Sequence, residues 1–235
     1  MIEIFEGRLG GGKTYSAVER ILLALSRGQT VYSNIKLYHG NIALYLEAVY
    51  GVELQPGQLN TLTYEEIPTF HKFCKWGTPD CPTLLVVDEV HIWFNARDWA
   101  NAMREVLDFL TQSRKACLDI IFISQSADNI DKQFRRLIQY IWRFRDMSKF
   151  QVPALGIRWP LNQILQLGYD GQDGRTKQFQ RWAFKDKKIF SCYETLSFLS
   201  PIEEQERLPK RPMKRVTPWR QMKARWELSK GGIKK

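Results

Sequence analysis

The sequence predicts an α/β fold in which a mostly parallel sheet is covered by helices on both faces. From residue 1 to residue 145, short apolar runs typical of buried strands alternate with segments whose apolar residues recur at helical spacing. The most apolar of these runs carries no charge until its end, as expected of a central strand that is buried on both sides. Such alternation is typical of a parallel sheet between two layers of helices.

The first strand and the first helix flank a glycine-rich loop. Apolar residues at Ile2, Ile4 and Phe5 predict a short buried strand. A helix is predicted over residues 14–27, and Gly28 stands where a helix would stop. Its apolar positions recur at helical spacing and are Val18, Ile21, Leu22 and Leu25.

The loop between them, residues 7–14, reads GRLGGGKT and fits G-x-x-x-x-G-K-[ST] at every fixed position. This pattern is typical of a phosphate-binding loop, because bare amides wrap the phosphates and the helix N-terminus adds partial positive charge. We expect Lys13 to reach the β- and γ-phosphates of ATP and Thr14 to ligate Mg²⁺. The predicted nucleotide-binding residues are Gly7, Arg8, Leu9, Gly10, Gly11, Gly12, Lys13, Thr14 and Tyr15.

A second strand supplies two carboxylates. Residues 83–87 form an uncharged run that leads directly into Asp88 and Glu89. By itself the pair indicates only a solvated strand end, but together with the loop it predicts a hydrolytic site at the sheet edge. We expect Asp88 to hold Mg²⁺ and Glu89 to orient and deprotonate the attacking water.

A third apolar strand is predicted over residues 119–125 and ends in Ser124 and Gln125. Gln125 is placed to help position the attacking water. The alternative is that Gln125 is an ordinary polar residue at the end of a strand.

The remaining elements are read from periodicity and from proline and glycine breaks. The predictions are a strand over 29–34, a helix over 43–50, loops and short pieces over 51–82, a helix over 100–115 and a strand over 140–144. After these, β-like segments at 162–167 and 178–184 are bridged by a glycine-containing loop at 168–174 and predict a hairpin. We expect this hairpin to be a β element appended to the core, at about residues 150–195.

The charge is unevenly distributed. The chain has 35 basic and 25 acidic residues, and residues 207–235 hold eleven of the basic residues and one acid. Residues 1–206 are therefore formally neutral, so the net charge of +10 does not indicate a basic groove on the core. We predict an ATPase domain over 1–206 and a basic, proline-containing tail over 207–235 that contacts acidic lipids or DNA. The alternative for the tail is a solvated extension.

Two classes of protein are disfavoured by the sequence. No apolar run approaches the ~18 residues that cross a bilayer. The N-terminus carries acids where a signal peptide carries basic residues, and its apolar helix follows a lysine. We therefore expect a cytosolic protein.

Three segments together resemble the ATPase domain of the zonular occludens toxin (Zot) family. They are residues 7–18, residues 86–97 (VVDEVHIWFNAR) and residues 111–145 (TQSRKACLDIIFISQSADNIDKQFRRLIQYIWRFR). The family includes inner-membrane assembly proteins of filamentous phages and groups with DNA-pumping ATPases of the FtsK–HerA type. The resemblance covers about residues 1–195 and implies a P-loop NTPase with a RecA/FtsK-like sheet.

The resemblance also implies a site and a set of partners. It maps Lys13, Thr14, Asp88, Glu89 and Gln125 onto the ATPase site. It implies phage DNA as the substrate that is moved, a homo-oligomeric ring, and a docking partner at the inner membrane or at a capsid vertex. It also implies a location in the host cytoplasm, at the cytoplasmic face of the inner membrane, or on the virion. An arginine from a neighbouring subunit would complete each site. Arg114 is the first choice for that arginine, with Arg135 and Arg136 as alternatives.

One local departure from the family pattern lies in the loop, where the family commonly has proline followed by Gly-Ser. This chain has Leu9 followed by Gly10 and Gly11. We expect nucleotide binding to survive, because the fixed glycines and the lysine remain.

Two functions stay open from the sequence. One is a morphogenesis motor that moves DNA during virion assembly and extrusion, and the other is a soluble ATPase that packages the genome into a preformed capsid. A transmembrane helix downstream of residue 235 in the native gene would favour extrusion. A junction toxin or a small-molecule kinase is less favoured, since the chain shows no secretory signal and no clear lid.

Overall fold

Eight strands form a single sheet in the computed structural model, which describes residues 1–94, 103–127, 130–150 and 161–194. The order across the sheet is β3-β2-β4-β5-β1-β6-β7-β8. The strands are β1 (Ile2–Glu6), β2 (Val31–Ser33), β3 (Leu59–Thr61), β4 (Thr83–Val87), β5 (Leu118–Ser124), β6 (Tyr140–Asp146), β7 (Gln163–Asp170) and β8 (Lys177–Phe184).

The α-helices are α1 (Lys13–Ser26), α2 (His39–Tyr50), α3 (Met103–Thr111), α4 (Lys132–Arg135) and α5 (Lys187–Phe190). Short 3-10 helices span Ile67–Lys72, Val90–Ile92 and Met147–Lys149. Gly28 follows α1 with a φ of 80°, in the left-handed region that suits glycine at a helix end. None of the helices in the described part of the chain is long and apolar enough to cross a membrane.

The predicted parallel sheet is confirmed for six strands. β3, β2, β4, β5, β1 and β6 pair in parallel, and β6–β7 and β7–β8 pair antiparallel. The predicted hairpin is therefore present as β7 and β8. It does not stand apart as an appended element, because β7 pairs with β6 along the whole length of that strand and continues the central sheet.

Both faces of the central strands are buried, as the uncharged sequence of β4 predicts, whereas β8 is mostly exposed. Along β4, Leu84 and Val86 belong to the core under α1 and α2, whereas Leu85 and Val87 belong to the core on the opposite face. That second core includes residues of α3, α4 and the 3-10 segment Ile67–Lys72. The alternation arises because successive strand side chains point to opposite faces.

The parallel strands place their carboxyl ends along one edge of the sheet. β1 there leads into the glycine-rich loop, β4 into Asp88, and β2 into Asn34. β5 lies between β1 and β4, so the loop and the acidic strand end stand two strands apart. This edge is where open α/β sheets bind ligands.

Several predicted boundaries were wrong. The helix predicted over 100–115 ends at Thr111, and residues 95–102 lie outside the described residues. α2 begins at His39 and not at residue 43, and the segment predicted as loops and short pieces contains the edge strand β3. The tail over 207–235 and Arg97 also lie outside the described residues, as does the domain boundary predicted at residue 206.

Candidate nucleotide-binding site

The glycines of the loop are required by backbone geometry. Gly7, Gly10 and Gly12 have φ angles of 147°, 68° and 102°, which side chains strongly disfavour. Gly11 is required by crowding, because a Cβ there would lie 3.0 Å from the Arg8 carbonyl oxygen and 3.1 Å from that of Phe144. The backbone of the loop is thus packed tightly against Phe144 of β6, which leaves no room for side chains at Gly7 and Gly11.

Lys13, the first residue of α1, is held inside this loop. Its Nζ donates to the carbonyl oxygen of Gly7 at 2.8 Å and to that of Arg8 at 3.3 Å. Burial lowers the pKa of Lys13, while the negative charges of Glu89 and Asp88 act to raise it. The lysine is therefore positioned where a phosphate chain in the loop would meet it.

Thr14 and Asp88 are brought together across the site. Thr14 Oγ1 donates to Asp88 Oδ2 at 3.1 Å. Burial and the nearby charge of Glu89 raise the pKa of the Asp88 carboxyl to about 6. A hydroxyl in the first turn of α1 and a carboxylate at the end of β4 are oxygen ligands of the kind that Mg²⁺ prefers, so the residues present fit a magnesium site.

Asn34, which the sequence analysis did not identify, fixes the backbone of Asp88. Asn34 Nδ2 donates to the Asp88 carbonyl oxygen at 3.0 Å, and the Asp88 amide donates to Asn34 Oδ1 at 2.7 Å. The clamp joins the ends of β2 and β4. Its signal was available in the sequence, because Asn34 is a polar residue directly after an apolar strand.

Glu89 lies next to the metal-binding candidates in a strained conformation. Its φ is 52°, in the left-handed region that non-glycine residues rarely adopt, and such strain is concentrated at functional sites. Its amide donates to Asp88 Oδ1 at 2.9 Å, and its Oε2 lies 3.3 Å from Nδ1 of His91. Glu89 is one of the residues that line the cavity beside the loop.

The cavity has a volume of about 450 Å³, and its far wall comes from a distant part of the chain. We call residues 185–194 the arm. Lys185, Phe190, Tyr193 and Glu194 of the arm line the cavity together with residues 9–15, Asn34, Ile35, Asp88, Glu89, Asp146 and Ile164. Sequence patterns could not identify the arm, because its contacts with the loop region join residues that are far apart in the chain.

An ion pair closes the end of the cavity near β6. Lys185 Nζ lies 2.6 Å from Asp146 Oδ2, and both side chains are almost buried. Burial alone would raise the pKa of Asp146, but hydrogen bonds from Lys185 and Ser148 outweigh it and hold this pKa below its ordinary value. At the other end, burial and the charge of Asp88 raise the pKa of the Tyr193 hydroxyl.

Two predicted site residues do not line the cavity. Gln125 directly follows β5 and is exposed, so it stands at the correct edge of the sheet without forming part of the cavity wall. Arg114 lies in an exposed turn between α3 and β5, and not on the helix as expected. That turn leads into the amino end of β5, so Arg114 lies at the edge of the sheet opposite the loop.

Comparisons with known proteins agree with this geometry. Residues 1–170 match the family model described as zonular occludens toxin (Zot). The gene 1 protein of Salmonella phage IKe is 28% identical over 223 residues, an alignment that covers 86% of this chain and 58% of the relative. The gene 1 protein of Enterobacteria phage M13 is 26% identical over 205 residues, which are 80% of this chain and 57% of the relative.

Among solved structures, the N-terminal domain of zonular occludens toxin from Neisseria meningitidis aligns with a TM-score of 0.49 at 17% identity. The alignment covers 82% of this chain and 98% of that domain. The chain thus spans less than three fifths of the gene 1 proteins and nearly the whole of the toxin's N-terminal domain. With the family match extending over residues 1–170, the sheet order and the loop in place, the chain belongs to the zonular occludens toxin (Zot) family and has a P-loop NTPase fold.

Proposed function

We propose that this chain is the ATPase part of a phage morphogenesis motor, which couples ATP hydrolysis to movement of phage DNA during virion assembly and extrusion. The observation that carries the proposal is the hydrogen bond of 3.1 Å between Thr14 and Asp88. It brings the glycine-rich loop and the acidic strand end together in one cavity. Membership of the Zot family supports the link to phage assembly.

Different residues of the site bind the phosphates, hold the metal ion and accept the proton during hydrolysis. The loop amides and Lys13 bind the phosphates of ATP, and Thr14 and Asp88 are the residues that would hold Mg²⁺. When bound, Mg²⁺ would neutralise charge on the phosphate oxygens. Glu89 accepts the proton of a water molecule as that water attacks the γ-phosphorus. The bond between the γ-phosphorus and the bridging oxygen then breaks, and the products are ADP and phosphate.

Glu89 is better suited than Asp88 to serve as the base. Asp88 is occupied by Thr14, by the Asn34 clamp on its backbone and by the Glu89 amide. Glu89 also lines the cavity, and 27% of its side chain is exposed. Since the base must reach a water molecule, the carboxylate that is not held by Thr14 is favoured for this role.

DNA is proposed as the substrate that is moved, and the tail at 207–235 is proposed as a polyanion-binding segment because it holds the whole formal charge excess. The sites are proposed to act in a homo-oligomeric ring, with Arg114 of one subunit completing the site of its neighbour. A docking partner at the inner membrane or a capsid vertex belongs to the same proposal.

The test is ATP turnover by the purified chain with single-stranded DNA, with double-stranded DNA and without DNA. A motor is expected to hydrolyse ATP faster when the DNA that it moves is present. The matched control is Glu89→Gln, which should bind ATP and yet lose about 10²–10⁴-fold in turnover, because the shape is kept and the base is removed. Turnover that is the same with and without DNA at every salt concentration would contradict the motor and favour a nucleotide switch.

A further inference from the structure

The arm places an aromatic ring in the cavity opposite the loop. Phe190, at the end of α5, lines the cavity and keeps 38% of its surface exposed. Its ring centroid lies 4.9 Å from that of Tyr15 and 6.1 Å from that of Tyr193, with which it is stacked. The cavity is therefore lined both by the phosphate-binding loop and by a partly exposed aromatic ring.

The position of this ring is fixed by contacts with α1. Tyr15 directly follows Thr14, and its hydroxyl accepts from the Asp186 amide at 2.6 Å and donates to the Phe184 carbonyl oxygen at 3.3 Å. These bonds attach the beginning of the arm to the first turn of the helix that carries Lys13 and Thr14. The arm and the phosphate-binding residues are thus held in one rigid arrangement.

The other end of the arm is fixed as well. The Tyr38 amide donates to the Cys192 carbonyl oxygen at 2.8 Å, and the Glu194 amide donates to that of Lys36 at 3.0 Å. The ion pair between Lys185 and Asp146 holds its beginning to β6. Both ends of the arm are therefore attached to the body of the protein, which fixes the position of Phe190 beside the loop.

We propose that the arm binds the nucleoside part of a nucleoside triphosphate, with the base stacked on Phe190. The inference rests on the proposed function and deepens it, because the loop contacts only phosphates and leaves the base without a partner. A nucleobase suits a partly exposed aromatic ring in the cavity wall, since every base presents a flat π-face and the stacking of bases on aromatic side chains tolerates differences in sequence. The arm lies beyond the residues matched by the family model.

The experiment compares two ligands that share phosphates and differ in the nucleoside. Binding of Mg²⁺ with a non-hydrolysable ATP analogue and of Mg²⁺ with inorganic tripolyphosphate is measured by calorimetry on wild type, Phe190→Ala and Phe190→Trp. Phe190→Ala should lower the affinity for the analogue by about 10- to 100-fold, the range expected for the loss of one stacked base. The affinity for tripolyphosphate should stay unchanged. Phe190→Trp should keep the analogue affinity, because an aromatic face is retained.

Phe73→Ala is the matched control, since Phe73 is an exposed phenylalanine outside the cavity wall and should leave both affinities unchanged. Retained tripolyphosphate binding reports that the loop is intact in each variant. An equal loss of both ligands in Phe190→Ala, or no loss of the analogue, would overturn the proposal. Lys13→Ala separates it from the proposed function: if Lys13→Ala bound both ligands as wild type does, the phosphate assignment would fail whatever Phe190 does.

Discussion

Asp88 shows how one side chain links the stability of the protein to its chemistry. Its pKa of about 6 lies above the ordinary value of 3.8, because burial and Glu89 disfavour the charged form. The ionised carboxylate therefore costs stability in the folded state. This cost is complete above about pH 6 and is lost as the pH falls towards 4, and the difference between the two pKa values corresponds to at most about 3 kcal/mol.

We therefore predict that Asp88→Asn stabilises the protein at pH 8 in the absence of Mg²⁺ and nucleotide, and that the gain shrinks as the pH is lowered from 6 to 4. Urea denaturation of wild type and variant across this pH range measures it. Asp80→Asn, which removes an exposed carboxylate, controls for the loss of one negative charge. A gain that stayed constant with pH, or a loss of stability at pH 8, would show that the Asp88 charge is not what destabilises the fold.

The residues of the site differ in how far the sequence could predict them. Lys13, Thr14 and Asp88 were identified because each is part of a short local pattern, and the structure places all three around one cavity. Gln125 and Arg114 were placed by strand-end position and by resemblance, and neither lines the cavity of its own chain. Phe190 had no local signal, since its contact with Tyr15 spans most of the chain.

The glycine-rich loop is the element whose shape depends most on single atoms. A Cβ at Gly12 would lie 2.6 Å from Ile164 Cδ1 of β7, at a φ of 102°. We predict that Gly12→Ala destabilises the protein by about 1–3 kcal/mol from backbone strain alone and abolishes nucleotide binding. The double variant Gly12→Ala/Ile164→Val lacks the clashing Cδ1 atom and should recover part of the lost stability. The backbone strain at the φ of 102° should remain.

Thermal denaturation of the single and double variants separates these contributions. Gly40→Ala in α2 serves as the control, because nothing lies within 4 Å of the added methyl group and the helix should gain about 0.5–1 kcal/mol. If Gly12→Ala were as stable as Gly40→Ala, the conformation of the loop would not require glycine.

The elements that the sequence predicted well are those that carry their own signal. β4 is an uncharged apolar run, β1 and β5 are uncharged except at Glu3, Glu6 and Asp119, and the structure buries most residues of all three strands. β3 was missed because it has three residues at the sheet edge and one of them is exposed, so no run or alternation marks it. The start of α2 was missed because its N-cap, Tyr38, makes no side-chain capping bond.

The position of Arg114 has a consequence for the proposed homo-oligomeric ring. Because it lies at the sheet edge opposite the loop of its own chain, it can act on ATP only in a neighbouring subunit. Arg114→Ala is predicted to lose about 10³–10⁵-fold in turnover if it is the arginine that completes the site. Mixing it with Lys13→Ala should restore part of the activity, since mixed rings contain intact interfaces. No recovery after confirmed subunit exchange would exclude action between subunits.

The basic tail at 207–235 is predicted to bind polyanions and to take no part in ATP hydrolysis. Eleven basic residues against one acid favour salt-sensitive association with DNA or acidic lipids. A chain ending at residue 206 should lose co-sedimentation with anionic vesicles or DNA at low salt and keep its basal ATP turnover. Equal binding by the truncated chain and the full chain over a salt series would show that the polyanion-binding surface lies within residues 1–206.

The most direct test of the whole account is ATP turnover by wild type and Lys13→Ala, measured side by side with their melting transitions. The Nζ group of Lys13 is held within the loop by two carbonyl oxygens, beside the carboxylates of Asp88 and Glu89. Wild type is expected to hydrolyse ATP, and Lys13→Ala is expected to melt cooperatively without detectable turnover. Wild-type turnover by a folded Lys13→Ala would contradict the assignment of this cavity as the ATP-hydrolysing site.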